Sequence, residues 1–407
     1  MKTIGFLLIL LGTIVLFLSV FMMFVSCEKQ KAEWKGTIEE VDGVTVVKNP
    51  KEPMYGEIKF ELEEDLSIGN EDDENYLFYG IRDIQVDTDG NIYVLDSGNH
   101  RLQVFDKNGN YLRTIGKKGR GPGEFITPSR LQLDDETGNI FVTDRSRTII
   151  IFEKGGKYID KDIHLVELLK DFYLDSERCI WGEFILPGID MHHFIKKVSP
   201  TGEDEKIIAE IPYYINRIKL SRTNVGNTAQ VGGYFFTHGY EYDLFIAKVD
   251  NHTLIYGYSK DYELIAFDET GDTLFIIRKD ETPKKITNNE KERIKYRIKG
   301  NTAKGGKFVP DISIEFPEHM PYFYSIITDN KGRIYVRKNP ISRESNINHE
   351  YDIFNEEGLY LYKTHLNYYA DVIKNGYIYT RIVTEETGEE QIRRCKIKNW
   401  DQIKNGI

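Results

Sequence analysis

Read from residue 87, the chain runs Asp87-Thr88-Asp89-Gly90-Asn91-Ile92-Tyr93-Val94: an Asp, a tight turn and then an apolar, β-rich run. Gly accepts positive φ, and Asn and Asp side chains bond their own backbone, so this composition favours a tight hairpin turn. The same signature returns along the chain at Asp134–Val142, Asp175–Trp181, Asp250–Tyr256, Asp329–Val336 and, shortened, Asn375–Tyr379. About six copies of one β-unit predict a closed ring of blades.

A second turn signature alternates with the first and consists of an apolar residue, a polar residue, two variable residues and Gly. It occurs at Phe105–Gly109, Phe152–Gly156, Val198–Gly202, Phe267–Gly271 and Phe354–Gly358. Each unit therefore contains two hairpins. The runs Ile92–Leu95, Thr148–Phe152 and Leu274–Ile277 are apolar on both faces, as expected where blades stack against each other. We predict an all-β fold, a six-bladed β-propeller of four-stranded antiparallel blades.

One short helical insertion is predicted at about residues 280–320. Thr287-Asn288-Asn289-Glu290 forms a capping box, in which the Thr oxygen and the Glu carboxylate satisfy free amides of the first helical turn. Residues 212–240 form a second long connection, rich in Gly and Tyr. Long connections often carry function, so both segments are candidates for a recognition surface.

The amino terminus is set apart from the rest of the chain. Met1-Lys2 precedes an apolar run from Ile4 to Val25, which is typical of an export signal. Phe24-Val25-Ser26-Cys27 resembles a bacterial lipobox, which implies lipidation at Cys27, and an uncleaved membrane anchor is the alternative. We therefore divide the chain into a signal peptide or anchor at 1–27, a tether at 28–35 and a propeller at 36–400, exported and tethered to the bacterial cell envelope on the periplasmic or surface side.

The remaining cysteines, Cys179 and Cys395, are predicted to be buried free thiols. They lie in the third and sixth units, which face each other across a six-membered ring, too far apart for a disulfide. The sixth unit, Tyr368–Ile397, has too few strands of its own. We expect a strand from residues 36–62 to complete it and remove an exposed sheet edge.

Charge argues against one class of partner. The 407 residues carry a formal net charge of −11, and a nucleic-acid-binding protein would need a basic stripe. The acidic stretch 61–74 is a candidate calcium site, with a solvated charge run as the alternative. We expect a monomer that needs no cofactor and whose partner is a protein, peptide or glycan; its only membrane contact is through the amino terminus.

Residues 87–125 resemble an NHL repeat. The resemblance rests on Val86-Asp87, Asp89–Val94, Asp96–Phe105 and the glycines of Gly116–Phe125, and the second unit keeps Gly138–Asp144. The chain as a whole is similar to exported six-bladed propeller lipoproteins of bacteria. The resemblance implies the fold. It implies no single function, because such propellers include binding scaffolds as well as lyases and lactonases.

Residues just before each inner strand of a propeller surround the mouth of its channel. In this chain they include Arg and Tyr side chains, which are favoured in recognition surfaces. Arg binds a carboxylate or phosphate through two hydrogen bonds at once, and the Tyr ring stacks against a ligand. The partner-binding candidates are Arg82, Asp83, Arg130, Tyr322 and Tyr324. Salt bridges at the blade edges are the alternative role for these residues.

Two functions remain open at this stage. No nucleophile motif is present, so we favour a binding or scaffold protein that recognises its partner on the propeller face. The alternative is a metal-dependent hydrolase or lyase with calcium or zinc in the central channel, for which His238 and His319 in the long connections are candidate zinc ligands. His192 and His193 are adjacent on a predicted strand and point to opposite faces, so they make a poor metal pair.

Overall fold

The computed structural model describes residues 32–186, 192–212, 217–224, 227–234, 241–303, 311–314, 316–338, 348–384 and 388–406. Cys27, with the rest of the predicted signal or anchor, lies outside these residues. None of the helices in the described part of the chain is long and apolar enough to cross a membrane. Three strands precede the first blade: β1 (Thr37–Val41), β2 (Val44–Asn49) and β3 (Leu62–Ile68).

The first three blades are antiparallel meanders of four strands, numbered from the inside of the ring outward. The first blade contains β4 (Ile81–Val86), β5 (Ile92–Asp96), β6 (Arg101–Phe105) and β7 (Tyr111–Ile115). The second contains β8 (Pro128–Leu133), β9 (Ile140–Asp144), β10 (Thr148–Phe152) and β11 (Tyr158–His164). The third contains β12 (Leu168–Leu174), β13 (Ile180–Leu186), β14 (His192–Val198) and β15 (Asp204–Pro212).

Inserted segments separate the later blades. Strands β16 (Arg217–Asn224) and β17 (Asn227–Tyr234) precede the fourth blade, which contains β18 (Leu244–Lys248), β19 (Thr253–Tyr258), β20 (Glu263–Asp268) and β21 (Thr273–Lys279). Helix α1 (Asn288–Ala303) and strand β22 (Asp311–Ile314) follow. The fifth blade contains β23 (Ser325–Thr328), β24 (Ile334–Arg337), β25 (His349–Phe354) and β26 (Tyr360–Leu366). The sixth contains β27 (Val372–Lys374), β28 (Tyr377–Val383) and β29 (Glu390–Ile397).

The inner strands close into a ring. Each of β4, β8, β12, β18, β23 and β27 lies beside the next, and β27 returns to β4. The middle strands are buried on both faces: every residue of β5 and β9 is buried, because neighbouring blades cover both sides of each sheet. Six blades of four antiparallel strands confirm the predicted fold.

The repeated hairpin signature forms the predicted tight turn. Asp87 Oδ1 accepts the backbone N–H groups of Asp89 and Asn91 at 2.9 and 2.8 Å, and its Oδ2 accepts the Asn91 side-chain amide at 2.8 Å. Gly90 has a φ of 86°, a conformation that costs any residue with a Cβ. The side chains of Asp134, Asp175 and Asp329 accept backbone N–H groups in the same way. The first hairpin of these blades therefore has the same turn.

The ring closes through β3, which pairs with β29 as the fourth strand of the sixth blade. An amino-terminal strand thus closes the ring, but it is Leu62–Ile68 and not a strand from residues 36–62, so the predicted position was wrong. The closing strand lies in the acidic stretch because β29 is basic: Arg393 lies 2.9 Å from Glu64, and Arg394 lies 2.9 Å from Asp65. The charges of Glu64 and Asp65 are therefore neutralised by the sixth blade.

The hairpin of β1 and β2 instead extends the fourth blade to six strands, with β2 parallel to β21. Asn49 secures it to the fifth blade: its side-chain oxygen accepts the Tyr360 N–H at 2.7 Å and its amide donates to the Gly358 carbonyl at 2.8 Å. The prediction that Leu274–Ile277 is covered on both faces was wrong in part. Leu274 is 43% exposed; it lies at the start of β21, one residue before the pairing of β21 with β2 begins at Phe275.

The predicted helix and its capping box are confirmed. The Glu290 carboxylate accepts the Thr287 N–H at 2.8 Å, and the Thr287 hydroxyl oxygen accepts the Glu290 N–H at 3.3 Å. Strand β22 pairs with β16, and β16 with β17, so the two inserted segments share a three-stranded sheet that the sequence did not predict. Cys179 and Cys395 are buried free thiols, as predicted.

Candidate functional site

The two ends of the ring differ in the connections that they carry. In an antiparallel blade of four strands, the inner strand begins at the end where the fourth strand finishes. We call this end the loop face and the opposite end the turn face. The chain leaves β15 and enters β18 at the loop face, and it likewise leaves β21 and enters β23 there. The turn face carries tight turns, such as those at Asp87–Asn91 and Asp106–Asn110. The long connections are therefore one-sided, which favours recognition at the loop face.

Three inner strands carry the same irregularity near the loop face. The pairing with the second strand skips one residue at Arg82, at Ser129 and at Lys170. A β-bulge of this kind re-aims the side chain that follows it. The residues that follow are Asp83, Arg130 and Asp171. The repeated bulge thus places a carboxylate, a guanidinium and a second carboxylate at equivalent positions of adjacent blades.

These three residues and two tyrosines form what we call the mouth cluster: Asp83, Arg130, Asp171, Tyr173 and Tyr369. Asp83 Oδ2 accepts the Leu131 N–H of the next blade at 2.9 Å, and Arg130 Nε lies 3.6 Å from Asp171 Oδ1. The charges of Asp83, Asp171 and Arg130 all act on Tyr173. Among the described residues, the hydroxyls of Tyr173 and Tyr369 have no hydrogen-bond partner, so both remain able to bind a ligand.

Burial shapes the protonation of the cluster. The pKa of Asp83 is raised to about 6: loss of solvent is the main cause, the Arg130 guanidinium opposes it and the Asp171 carboxylate adds to it. Loss of solvent also raises the pKa of Asp171, again against the effect of Arg130. Two carboxylates with raised pKa in one channel mouth are a pattern that functional sites share with some structural ion networks.

Three arginines lie near this mouth, and they differ in how many donors they have left. Arg381 donates to Asp371 and to the carbonyls of Ile81 and Arg82. Arg337 is fully buried, donates to Ser325 and Tyr324, and lies over the Tyr369 ring at 4.9 Å.

Arg130 is the arginine with donors to spare. Its Nη1 donates to the Ser129 carbonyl at 3.1 Å, and its Nε is too far from Asp171 for a hydrogen bond. Its other N–H groups have no partner in the described part of the chain. Of the three guanidiniums, Arg130 is therefore the one that can bind a ligand without breaking an existing contact.

A possible metal ligand set lies between the third and fourth blades. The side chains of Glu183, His193 and Asp243 each offer a ligand atom within 4.8 Å of the others. The Lys170 ammonium already lies 3.0 Å from Glu183 and 2.6 Å from Asp243. Because this cation neutralises both carboxylates, the group suits a buried ion pair better than a divalent ion.

No second histidine joins this group among the described residues. His192 lies 2.8 Å from Glu210, whereas His193 lies 2.6 Å from Glu183, so the two rings point to opposite faces of their sheet as predicted. His319 Nδ1 is 2.8 Å from the Met320 carbonyl oxygen. His238 lies outside the described residues, so the proposed zinc pair stays a prediction, as does the calcium site in the acidic stretch.

The exposed large apolar side chains fall in two places. Five lie on the outer strands of the blades: Ile38, Val41, Leu112, Ile207 and Leu274. The other six lie at strand ends or connections of the loop face: Leu77, Tyr79, Val166, Leu186, Tyr296 and Val383. In the described residues, none lies in a turn of the turn face. Exposed apolar groups gathered on one face favour a contact surface.

The structure brings together only some of the predicted partner-binding residues. Asp83 and Arg130 lie in the mouth cluster. Arg82 is exposed beside it, and its carbonyl accepts from Arg381. Tyr322 packs against Tyr262 and His319, and the Tyr324 carbonyl accepts from Arg337, so both contribute to the junction of the fourth and fifth blades.

Sequence reasoning missed Asp171, Tyr173 and Tyr369. A signal for Asp171 was present: Asp83, Arg130 and Asp171 each lie four positions before the Asp that begins the next turn. That offset defines one layer of the channel wall, and reading it through all units would have found Asp171. No comparable offset marks Tyr369, which lies before its inner strand.

Comparison with known proteins gives the family. A family model described as 6-bladed beta-propeller (DUF5128) matches residues 71–296, more than half of the chain. Protein brain tumor of Drosophila melanogaster is 34% identical over 80 residues, which are 19% of this chain and 8% of that protein. The chain thus matches only a small part of that relative.

Solved structures agree on the fold. A Bacteroides fragilis protein described as exported superposes with a TM-score of 0.50 and 12% identity, covering 86% of this chain and 100% of its own. Virginiamycin B lyase from Staphylococcus aureus has a TM-score of 0.41 and 12% identity, covering 83% and 99%. The first likeness shows the fold alone. The chain belongs to the DUF5128 family of 6-bladed beta-propellers.

Proposed function

We propose that the protein is an envelope-tethered binding or scaffold protein that recognises a peptide, glycan or protein partner on the loop face. The observation that carries the proposal is the mouth cluster, where Arg130 and two tyrosine hydroxyls have hydrogen-bonding groups that no described residue uses. The one-sided long connections and the six exposed apolar side chains surround the same end of the channel. Free donors in a partly desolvated mouth can select a ligand, because each bond made there has little competition from water.

The metal-dependent hydrolase or lyase is the second candidate. It is favoured by the spacing of Glu183, His193 and Asp243. It ranks lower because a metal ion would have to displace the Lys170 ammonium from both carboxylates. The binding proposal needs no such rearrangement.

The test is binding of the purified full-length protein to peptide and glycan arrays, compared with two single variants. Arg130→Ala removes the guanidinium of the mouth that has unused donors among the described residues. Lys154→Ala removes an exposed charge in a turn on the turn face and serves as the control. We expect Arg130→Ala to weaken each specific signal at least about tenfold and the control to leave it unchanged. Signals that survive Arg130→Ala, or that require added metal, would contradict the proposal.

Tethering is a separate part of the proposal and rests on residues 1–27. Lipidation of Cys27 predicts a diacylglyceryl group on the amino-terminal peptide, which intact-peptide mass spectrometry detects. Cys27→Ala is expected to prevent that modification. An unmodified chain that still begins at Met1 and stays with the membrane would assign the segment as an uncleaved anchor.

A further inference from the structure

Three connections of the second blade meet on the loop face. They are the link from β7 to β8, the turn from β9 to β10 and the link from β11 to β12. Asp144 Oδ1 in the turn accepts the N–H groups of Ile126 and Thr127 in the first link, at 2.9 and 2.6 Å. The Leu165 N–H of the second link donates to the Arg147 carbonyl at 2.8 Å. These hydrogen bonds hold the three connections in one surface.

This surface is basic although the protein is acidic. Its cationic side chains are all exposed: Lys117, Lys118, Arg120, Arg145 and Arg147. Lys117 lies 3.3 Å from Glu124, and Arg145 lies 3.6 Å from Asp144. The side chains of the other three cations have no ionic or hydrogen-bonded partner in the described part of the chain. The third carboxylate, Glu167, already lies 2.8 Å from the Lys196 ammonium. With five cations and three carboxylates the connections carry a net charge of +2, against −11 for the whole chain.

The first link presents its cations on an ordered backbone. The Glu124 carboxylate accepts the Gly121 N–H at 2.8 Å. Phe125 is fully buried, its N–H donates to the Lys117 carbonyl at 2.8 Å, and its carbonyl accepts the Gly119 N–H at 3.0 Å. An ordered link loses little backbone entropy when a ligand covers it, so more of the contact energy is available for binding.

The turn holds one cation at a conformational cost. Arg145 and Ser146 have φ values of 53° and 55°, in the left-handed region that Gly and Asn adopt more readily than other residues. Arg145 is therefore not the residue that the turn itself favours. Strained backbone positions of this kind are common where a side chain serves binding and not folding.

An exposed apolar side chain adjoins the cations. Val166 is 76% exposed, and it follows Leu165, whose N–H bonds the Arg147 carbonyl. An acidic glycan would leave Val166 without an apolar partner, whereas an acidic protein segment can cover it with an aliphatic or aromatic side chain. The combination of cations and an exposed apolar group therefore favours a protein as the partner.

We propose that this basic surface, made of Lys117, Lys118, Arg120, Arg145, Arg147 and Val166, docks an acidic segment of a partner protein. Carboxylates of the segment pair with the cations, and an apolar side chain of the segment covers Val166. The acidic remainder of the chain repels such a segment, so its binding must come from the basic surface and not from general attraction. The inference rests on the proposed recognition at the loop face, because it names the partner chemistry for one part of that face.

The experiment measures fluorescence anisotropy of two labelled peptides mixed with the full-length protein. One peptide has a central Leu flanked by glutamates, and the other has lysines in place of the glutamates. We expect saturable binding of the glutamate peptide alone, weakening as NaCl rises from about 50 to about 300 mM because the Debye length shortens.

Two double variants remove charges from different connections of the basic surface. K118Q/R120Q changes the first link, and R145N/R147Q changes the turn. Asn tolerates positive φ better than Arg, so R145N/R147Q should keep the melting temperature of the wild type while its binding weakens. We expect each variant to bind the glutamate peptide about tenfold more weakly.

The matched control lies at the other end of the same blade. K154Q/K157Q removes two exposed cations from the turn between β10 and β11, on the turn face. We expect this variant to bind the glutamate peptide as the wild type does. Val166→Ser tests the apolar contact and should weaken binding about threefold.

Several results would overturn the inference. They are equal weakening by the control and the surface variants, binding of the lysine peptide, or no binding of the glutamate peptide where oligogalacturonate or phosphatidylglycerol vesicles bind. Glutamate-peptide binding that Arg130→Ala abolishes and the surface variants leave unchanged would also overturn it, while supporting recognition at the mouth cluster. Conversely, array signals that survive Arg130→Ala, together with peptide binding that the surface variants weaken, would contradict the mouth cluster and support the basic surface. The two proposals can therefore fail separately.

Discussion

Asp83→Asn is expected to stabilise the protein at neutral pH, although it removes a hydrogen-bonded side chain. The folded state raises the pKa of Asp83 from 3.8 to about 6, mainly by burial, with Asp171 adding to the shift and Arg130 and Arg381 opposing it. A carboxyl group with a raised folded pKa favours folding when it is protonated. Its contribution is complete below the unfolded pKa and is lost as pH rises towards 6.

The magnitude follows from two opposing quantities. A shift of about two pKa units corresponds to about 3 kcal/mol of free energy lost when Asp83 ionises in the folded protein. The two carboxylate oxygens of Asp83 accept the N–H groups of Ile84 and Leu131. Asn has one side-chain oxygen and can accept only one of them, and the loss of the other hydrogen bond costs about 1 kcal/mol. The variant should therefore match the wild type near pH ~4.5 and exceed it by about 2 kcal/mol near pH ~7.5.

The assay is urea unfolding of the full-length protein and variant across that pH range. Asp106→Asn is the control, because Asp106 lies in a turn-face turn where the Asn110 side chain and backbone lower its pKa. That variant should lose stability at neutral pH. A wild type that exceeds Asp83→Asn at every pH would refute the reasoning, since it would mean that the ionised Asp83 stabilises the fold.

Three more outcomes follow from buried groups. Asp329→Ala should lower the free energy of unfolding in urea by about 3–5 kcal/mol, because the fully buried Arg333 guanidinium loses the carboxylate that lies 2.7 Å from it. A decrease of less than about 1 kcal/mol would contradict this expectation. Lys170→Met removes the cation between the Glu183 and Asp243 carboxylates, so added Zn²⁺ should raise the melting temperature of the variant. Zn²⁺ should leave the melting temperature of the wild type unchanged. An equal rise in both proteins would contradict the ion-pair assignment. Cys179 and Cys395 should not react with Ellman's reagent at pH ~8 until denaturant is added, because burial raises the pKa of each thiol, that of Cys179 to about 11.

The repeated turns made the ring predictable, because each is a local device. The Asp87 turn needs only residues within four positions of it, so its signature can be read in each unit without knowledge of the fold. The capping box at Thr287 is local in the same way. The closing strand is not local: β3 is recognisable only when its acids are set against the basic residues of β29, which lie more than 300 positions away. Taken alone, an acidic run is most often a solvated surface.

Site residues could be predicted from the sequence only in units that keep the repeat signature close to the inner strand. Asp83 and Arg130 were predicted to lie just before their inner strands, in the first two units, where the signature is clearest. They lie within β4 and β8, just after the bulge of each strand, and both are part of the mouth cluster. Tyr322 and Tyr324 were chosen by the same rule, but the segment before β23 turns inward: Tyr322 donates its N–H to the Ser259 carbonyl, and Tyr324 bonds Arg337 through its backbone. A long insertion changes the approach to the inner strand, so position along the sequence no longer fixes position around the channel.

The direction of the carboxyl pKa shifts differs between the turns and the channel mouth. Turn-face carboxylates have lowered pKa values, as at Asp89, where Lys154 holds the charge, and at Asp106. Raised values occur elsewhere, at Glu71, Asp83, Asp162, Asp171 and Glu183. Each raised value means that the ionised group opposes folding at neutral pH. Asp162 lies on an outer strand, but Glu71, Asp83 and Asp171 border the loop face. Lowered pKa values also occur on the loop face, at Glu124, Glu281 and Glu290. The raised values at Asp83 and Asp171 therefore mark the channel mouth and not the whole face, as expected where burial keeps charged groups poised for a ligand.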